Sequence, residues 1–445
     1  MDKYILLLTL LFSLICRGRP SCDSYSDCET CTEHKSWNGK SCRWCPLDEE
    51  CHAYASLQNS CWEEHNVKRP SDCSAYNKPY GVYDPEMAYS ATLLSAIAYS
   101  DTPTKCMNSI FPLGGFELLY AIGRRCEDLS LFEYAECYAY TGISHKMKMI
   151  VLAYRGTSTT YGKQQLYDQI LSVLITPKTS FLELGEVQYY FKQAHDKLFP
   201  CVRSSIEEIV RQNPDYDVVI TGHSLGGAIA SLSAASLIKA SIVRENKLSL
   251  YTFGMPRVGD KGYAFNHGMT VNNSWRVVHR RDIVAHFPTC HLTFGCRVTA
   301  NGPYHHRKEI FYKADTMTVR SDYKKCKGNE NERCSNGLVS NNKCVPFVDL
   351  DDCIDNHKNY FGIPVGTYCN EKGSRRKRSA NERSLMWDKF SSDRCRRINL
   401  SEKSTADESE ADQKSATSSS SSESRKGQVC SLILLTLMVL KSFFK

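Results

Sequence analysis

One stretch limits what this chain of 445 residues can fold into more than any other. Residues 218–232 read VVITGHSLGGAIASL: an apolar β-type run, a glycine, a serine at the centre, a second glycine, then small helix-forming residues. Glycines on either side of a residue let a strand turn into a helix with almost no loop, and the residue between them is left at the apex. Around this corner the pattern alternates. From about Pro85, EMAYSATLLSAIAYSD reads as an apolar-faced helix, KMIVLAY (148–154) as a buried strand, LSLYTFG and WRVVH as further strands, and LGGAIASLSAASLIKA as the helix after the corner. Strands alternating with helices predict an α/β domain with a mostly parallel sheet and the serine at a strand's C-terminal end. No internal repeat is present.

Cysteine usage sets the compartment. Of 22 cysteines, Cys16 and Cys430 lie in terminal apolar segments, eight fall in residues 22–73, six in 106–296 and six in 326–395. Even counts in each block predict disulfides, which persist in an oxidising environment. No His/Cys pattern has metal spacing beyond CxxC pairs better read as disulfide partners, so no metal and no cofactor is expected. The net charge of +7 comes almost wholly from residues 371–400, with ten Lys or Arg against four Asp or Glu. The remainder is near neutral, which excludes a nucleic-acid partner.

The ends agree with secretion. Residues 1–18, with Lys3 before a leucine-rich run, have the layout of a signal peptide and are too short for a membrane span. Residues 370–428 read as a basic, then Ser-rich, disordered linker. Within it, Arg375–Arg378 is either a solvated charge run or a proprotein-convertase site. Residues 429–445 form a short apolar tail that follows a polar spacer, the layout of a glycosylphosphatidylinositol-attachment signal. A short tail anchor and plain secretion are the alternatives. Asn272 and Asn399 stand in glycosylation sequons.

Residues 22–73 are too short to bury a core unaided, so four bridges are expected to staple them. Their CDSYSDCETC…CRWCPLDEEC order, with Trp44 between paired cysteines, resembles the plexin–semaphorin–integrin module. That resemblance implies a spacer, with protein contact as a further role.

A hydroxyl is a poor nucleophile unless a base takes its proton and donors await the oxyanion. Gly222, Ser224 and Gly226 form a G-x-S-x-G elbow in the context that gives it meaning, between a β run and a small-residue helix. A triad on such a corner follows the chain order Ser, acid, His. WRVVHRRDIVAHFP offers Asp282 just past a strand, and GPYHHRKEIFY offers His305 and His306 before another. Together AYRGTS, GHSLGGAIA, YTFGMPRVGD, VVHRRDIVAHFP, YHHRKEIFY and DNHKNYFG resemble the class 3 lipase family over residues 85–369.

The resemblance implies an α/β-hydrolase fold, Ser224 as nucleophile, Asp282 as orienting acid, and an oxyanion hole from the Leu225 N–H and Thr157. The family's histidine is placed by counting four residues back from the closing strand's acidic residue, Glu309. The count gives His305 as the base, with His306 as the alternative. By the same likeness His286 is structural, His223 points away from the serine, NHKNYFGIPVGTYC resembles the last helix, and Cys369 closes the domain; Cys106 is a candidate partner for it, with the connectivity left open. Cys290 and Cys296 suit a local bridge. A lid is expected within 157–185, and VQYYF at 187–191 departs from the family's Val-His-x-Gly-Phe. The activity implied is acylglycerol hydrolysis at a lipid interface. Other ester substrates such as phospholipids, and a silent adhesion protein on a hydrolase fold, are the alternative readings.

Overall fold

Runs of Val, Ile and Leu without polar alternation belong in strands buried on both faces, and the sheet is built from them. The structure is a computed structural model that describes residues 21–36, 38–76, 81–112, 115–126, 136–157, 177–289, 302–339, 350–373 and 396–398. The signal segment, most of the lid region, Cys290 and Cys296, Arg375–Arg378, Asn399 and the apolar tail lie outside the described residues.

Nine strands form the main sheet: β1 (Glu117–Arg125), β2 (Glu136–Ser144), β3 (Met149–Tyr154), β4 (Asp217–His223), β5 (Leu248–Phe253), β6 (Ser274–His279), β7 (Glu309–Tyr312), β8 (Tyr323–Lys325) and β9 (Arg396–Arg397). Their spatial order is β8-β7-β6-β5-β4-β3-β2-β1-β9. The strands from β3 to β7 run parallel, and antiparallel strands flank them. This is an α/β-hydrolase fold with a mostly parallel centre.

Successive strand residues face opposite sides. Val218 and Ile220 of β4 enter one core with helices α2 (Tyr189–Gln212) and α3 (Leu225–Lys239). Val219 enters the core on the other face with α1 (Pro85–Ile97). Helices on both faces leave the C-terminal ends of β3, β4 and β6 as the open edge, where the chain places Thr157, Ser224 and Asp282.

Residues 22–73 carry four disulfides: Cys22–Cys42, Cys28–Cys73, Cys31–Cys51 and Cys45–Cys61. They clamp a short helix, Cys28–Glu33, and a small hairpin of Arg43–Cys45 with Glu50–His52. Every one of the sixteen described cysteines is disulfide-bonded. Cys106 pairs with Cys369, tying the helices Pro103–Ile110 and Tyr368–Gly373 across a separation of 263 residues.

The linker reading of 370–428 needs correction at one point. Arg396–Arg397 pairs with Tyr120 and Ala121, Ile398 N donates to Leu119 O at 2.8 Å, and Arg397 reaches Glu208 at 3.1 Å. An edge strand offers unpaired N–H and C=O groups, and even a polar segment gains by covering them.

Replacing Cys106 and Cys369 together by alanine should cost about 2–5 kcal/mol by freeing a long loop in the unfolded chain. Thermal unfolding would show this as a Tm lower by several degrees, with the remaining disulfides intact. An unchanged Tm would mean that the bridge adds nothing to the packing of those two helices.

Candidate active site

The corner at Ser224 depends on close backbone approach. Ser224 has φ 60° and ψ −135°, a conformation L-residues adopt only under constraint. A Cβ on Gly222 would lie 2.4 Å from the Gly226 carbonyl carbon, and one on Gly226 would lie 2.4 Å from Tyr154 O. Both glycines are therefore obligatory, and the strained serine is held by Ser224 N donating to Phe253 O at 2.9 Å. Its Oγ is buried and makes no hydrogen bond among the described residues.

Strand pairing sets the neighbours. Tyr154 lies opposite Gly222, so the chain beyond β3 runs beside the elbow; a Cβ on Gly156 would come within 3.0 Å of Ser224 Cβ. Thr157 is the residue after this glycine. Leu225 opens α3, where the first N–H groups of a helix lack intrahelical acceptors and the helix dipole is positive.

Asp282 follows β6 and is fully buried. Its carboxylate accepts Val284 N at 2.9 Å, Tyr360 Oη–H at 2.6 Å, and His357 Nδ1–H at 3.0 Å to each oxygen. Burial by itself raises this carboxyl. The His357 ring, its hydrogen bond and that from Tyr360 outweigh burial and hold Asp282 down to about 2. With Nδ1 committed to the carboxylate, Nε2 of His357 is the nitrogen left to accept a proton. The ring stacks on that of His223, the residue before the nucleophile, at 4.6 Å between centroids, and His223 Nε2 donates to His357 O at 2.8 Å.

The expected base therefore changes. His305 donates Nε2–H to Ala285 O at 2.6 Å, and its backbone N–H goes to Glu330 at 2.8 Å. It reaches the turn after Asp282 but not the carboxylate. His306 Nε2 meets Ser231 Oγ at 3.0 Å, and its ring stacks on His267 at 3.8 Å. Neither is placed to relay a proton between Ser224 and Asp282. The residue four before Glu309 thus bonds a main-chain carbonyl, and the histidine on the Asp282 carboxylate comes 48 residues after Glu309.

Sequence reading also missed two supports of the acid. Tyr360 fixes one carboxylate oxygen. Gly254, at φ +57°, leaves room for the pair; a Cβ there would fall 2.4 Å from Asp282 Oδ2 and 2.7 Å from His357 Nδ1. The signal was present in DNHKNYFG, which carries both His357 and Tyr360. His286 is structural, with Nδ1 on Asp282 O at 2.7 Å. His223 turns away, its Nδ1 meeting Tyr99 Oη at 2.9 Å. Gln188 and Tyr189, at the departure from the family pattern, join a small strand to α2.

Two described groups gather metal-ligand types, but each is otherwise engaged. Cys326 and Cys334 near Glu309 bond to one another, and Asp48 near Glu50 accepts from His52 at 3.0 Å.

The family model described as Lipase (class 3) matches residues 151–292. A Caenorhabditis elegans protein described as a lipase is 32% identical over 313 residues, covering 65% of this chain and 84% of the relative. The chain belongs to the class 3 lipase family. It is a serine carboxylic ester hydrolase. A Rhizopus niveus lipase is 31% identical over 227 residues, half of each chain. Among solved structures, the lipase of Rhizopus microsporus var. chinensis is 26% identical with a TM-score of 0.51, covering 64% of this chain and 89% of that one. The native propeptide complex of Rhizomucor miehei lipase, 24% identical with a TM-score of 0.52, covers 65% and 86% and shares the fold.

Two outcomes follow for this class 3 lipase. His357→Ala should lower kcat by about 10³-fold or more, while His305→Gln, which keeps a donor for Ala285 O, should stay within about tenfold of wild type. Steady-state rates on a soluble ester test this, and the reverse ranking would restore His305.

The second concerns pH. Burial pushes His223 and His267 down to about 3, His286 to about 4, and His305 and His306 well below 6.5. The folded chain keeps these rings neutral, whereas the unfolded chain protonates them below about pH 6.5. Their stabilisation is therefore complete above about 6.5 and is lost as pH falls toward the folded values, each ring contributing a slope of up to about 1.4 kcal/mol per pH unit. Tm measured from pH 7.5 to 4.5 should fall steadily, and a flat profile would contradict the buried-neutral state.

Proposed function

We propose that this chain is a secreted lipase that hydrolyses acylglycerol esters through Ser224, His357 and Asp282. The observation that carries the reading is the buried Asp282–His357 pair stacked against the residue before the strained serine. His357 Nε2 takes the Ser224 Oγ proton as Oγ attacks the ester carbonyl carbon. The oxyanion receives the Leu225 N–H and the N–H or hydroxyl of Thr157. Collapse breaks the ester C–O bond, and His357 protonates the departing alcohol. Water, deprotonated by His357, then cleaves the acyl-enzyme to release the fatty acid and restore Ser224.

Acylglycerol as the substrate class has support from relatives described as secreted mono- and diacylglycerol lipases. The one from Fusarium solani is 29% identical over 208 residues, covering 45% of this chain and 56% of that entire protein. Secretion has support in the full pairing of the described cysteines and in the leader-like residues 1–18. Residues 429–445 serve as a lipid-attachment signal on the same reading, placing the enzyme on the outer face of a membrane. On this reading residues 22–73 form a plexin–semaphorin–integrin-type module, supported by the order of their cysteines. Asn272, half-buried between a helix and β6, and Asn399 are the glycan acceptors of this reading.

Wild type and Ser224→Ala are to be compared on emulsified tri-, di- and monoacylglycerols, phospholipid vesicles and a soluble short-chain ester. Acylglycerol should be the preferred substrate, and the alanine variant should lose at least about 10³ in rate. Preference for phospholipid would move the substrate and keep the mechanism. Equal rates for both proteins would sink the triad.

A further inference from the structure

The turn that carries Asp282 is held from outside by a chain of contacts that ends in the N-terminal disulfide module. Within the turn, Arg257 N–H donates to Phe287 O at 2.7 Å, Arg257 Nη1 donates to His286 O and to Pro288 O, the latter at 3.0 Å, and His305 holds Ala285 O. Both clamps depend on one carboxylate. Glu330 accepts Arg257 Nε and Nη2 at 2.9 and 2.8 Å and the His305 backbone N–H at 2.8 Å. The two side chains of the Arg257–Glu330 pair are almost wholly buried.

Glu330 sits in a loop closed by the Cys326–Cys334 disulfide, and this loop rests on the module. Asn329 N–H donates to Leu47 O at 2.8 Å. A Cβ on Gly328 would meet Asp48 O at 2.6 Å, so the two backbones touch. Leu47 is buried against Ala264 and Tyr304, and His65 stacks on Phe265 at 4.2 Å. Lys308 Nζ binds Glu49 Oε1 at 2.8 Å across the same seam, with both side chains more than four-fifths covered.

We propose that the 45–49 turn of the N-terminal module is a positioning element for the catalytic acid. It holds the 326–334 loop, which through Glu330, Arg257 and His305 sets the 282–288 turn. The module is thus a fixed part of this enzyme's working site rather than a spacer. The inference rests on the assignment of Asp282 as the triad acid. The described grips fall on main-chain carbonyls of the turn, so loosening the seam should shift the carboxylate without removing any reacting group. Misplacement by about 1 Å at a catalytic group costs on the order of 10² in rate, and a partial loosening should cost less.

The test uses the full chain and a soluble short-chain ester, so that lipid-surface binding does not enter. Leu47→Asp places a charge in the apolar seam and should lower kcat by about tenfold with KM little changed. Glu49→Lys and Lys308→Glu should each lower kcat several-fold, and the double swap should recover most of it. Amide exchange in 282–288 and 326–334 should rise in the single variants and fall back in the swap. A variant that simply misfolds would not be rescued by a second charge reversal. Wild-type kcat in Leu47→Asp, with exchange raised in 326–334, would overturn the proposal, as would charge-reversal losses that the double swap leaves in place. Asp282→Asn in parallel separates the two readings: if it keeps wild-type rate, the triad assignment fails. If it loses rate while Leu47→Asp does not, only the positioning role fails.

Discussion

Everything catalytic in this protein hangs on how closely three backbone segments approach at Ser224. The end of β3, the end of β4 and the start of α3 meet with so little space that no side chain fits at positions 222 or 226. That approach forces Ser224 to a positive φ and sets Gly156, just past the strand end, beside it. Only a parallel sheet with its helices already packed on both faces can sustain such strain, because nothing local favours it. The apolar faces of α2 and α3 against β3 and β4 offset the cost.

Asp282 and His357 show a second balance. Taking a carboxylate fully out of water is unfavourable, and its burial here is tolerated because every lone pair finds a donor from Val284, Tyr360 or His357. The same hydrogen bonds orient the imidazole, so what stabilises the buried charge also prepares the base. His223 adds a further tie by holding the His357 main chain. Arg257 and Glu330 repeat this logic one layer out, as a buried pair whose surplus donors are spent on the carbonyls of the acid's own turn.

Disulfides play different parts in the two regions. In residues 22–73 they replace a core that so short a chain cannot build. In the hydrolase region Cys106–Cys369 joins distant pieces of a chain that already has a core, while Cys126–Cys137 and Cys326–Cys334 close short loops. The contact between the regions is mixed, an apolar seam around Leu47 with an ion pair at its rim.

The sequence by itself determined the parallel strands and the elbow at Ser224, and it set Asp282 just past a strand. Each is written locally, in a short apolar run, a glycine pair or a residue just past a strand, or else in a family pattern of adjacent letters. Tertiary structure alone decided which of the 13 histidines meets the Asp282 carboxylate. His357 lies 75 residues beyond Asp282, and the intervening chain passes through β7, β8 and a disulfide loop before it returns. No spacing rule spans that stretch, because its length does not alter where His357 meets Asp282 and His223. His305 stood nearer the acid in sequence and ended on Ala285 O, while Tyr360 and Gly254 acquired their roles only when the fold brought them to the carboxylate.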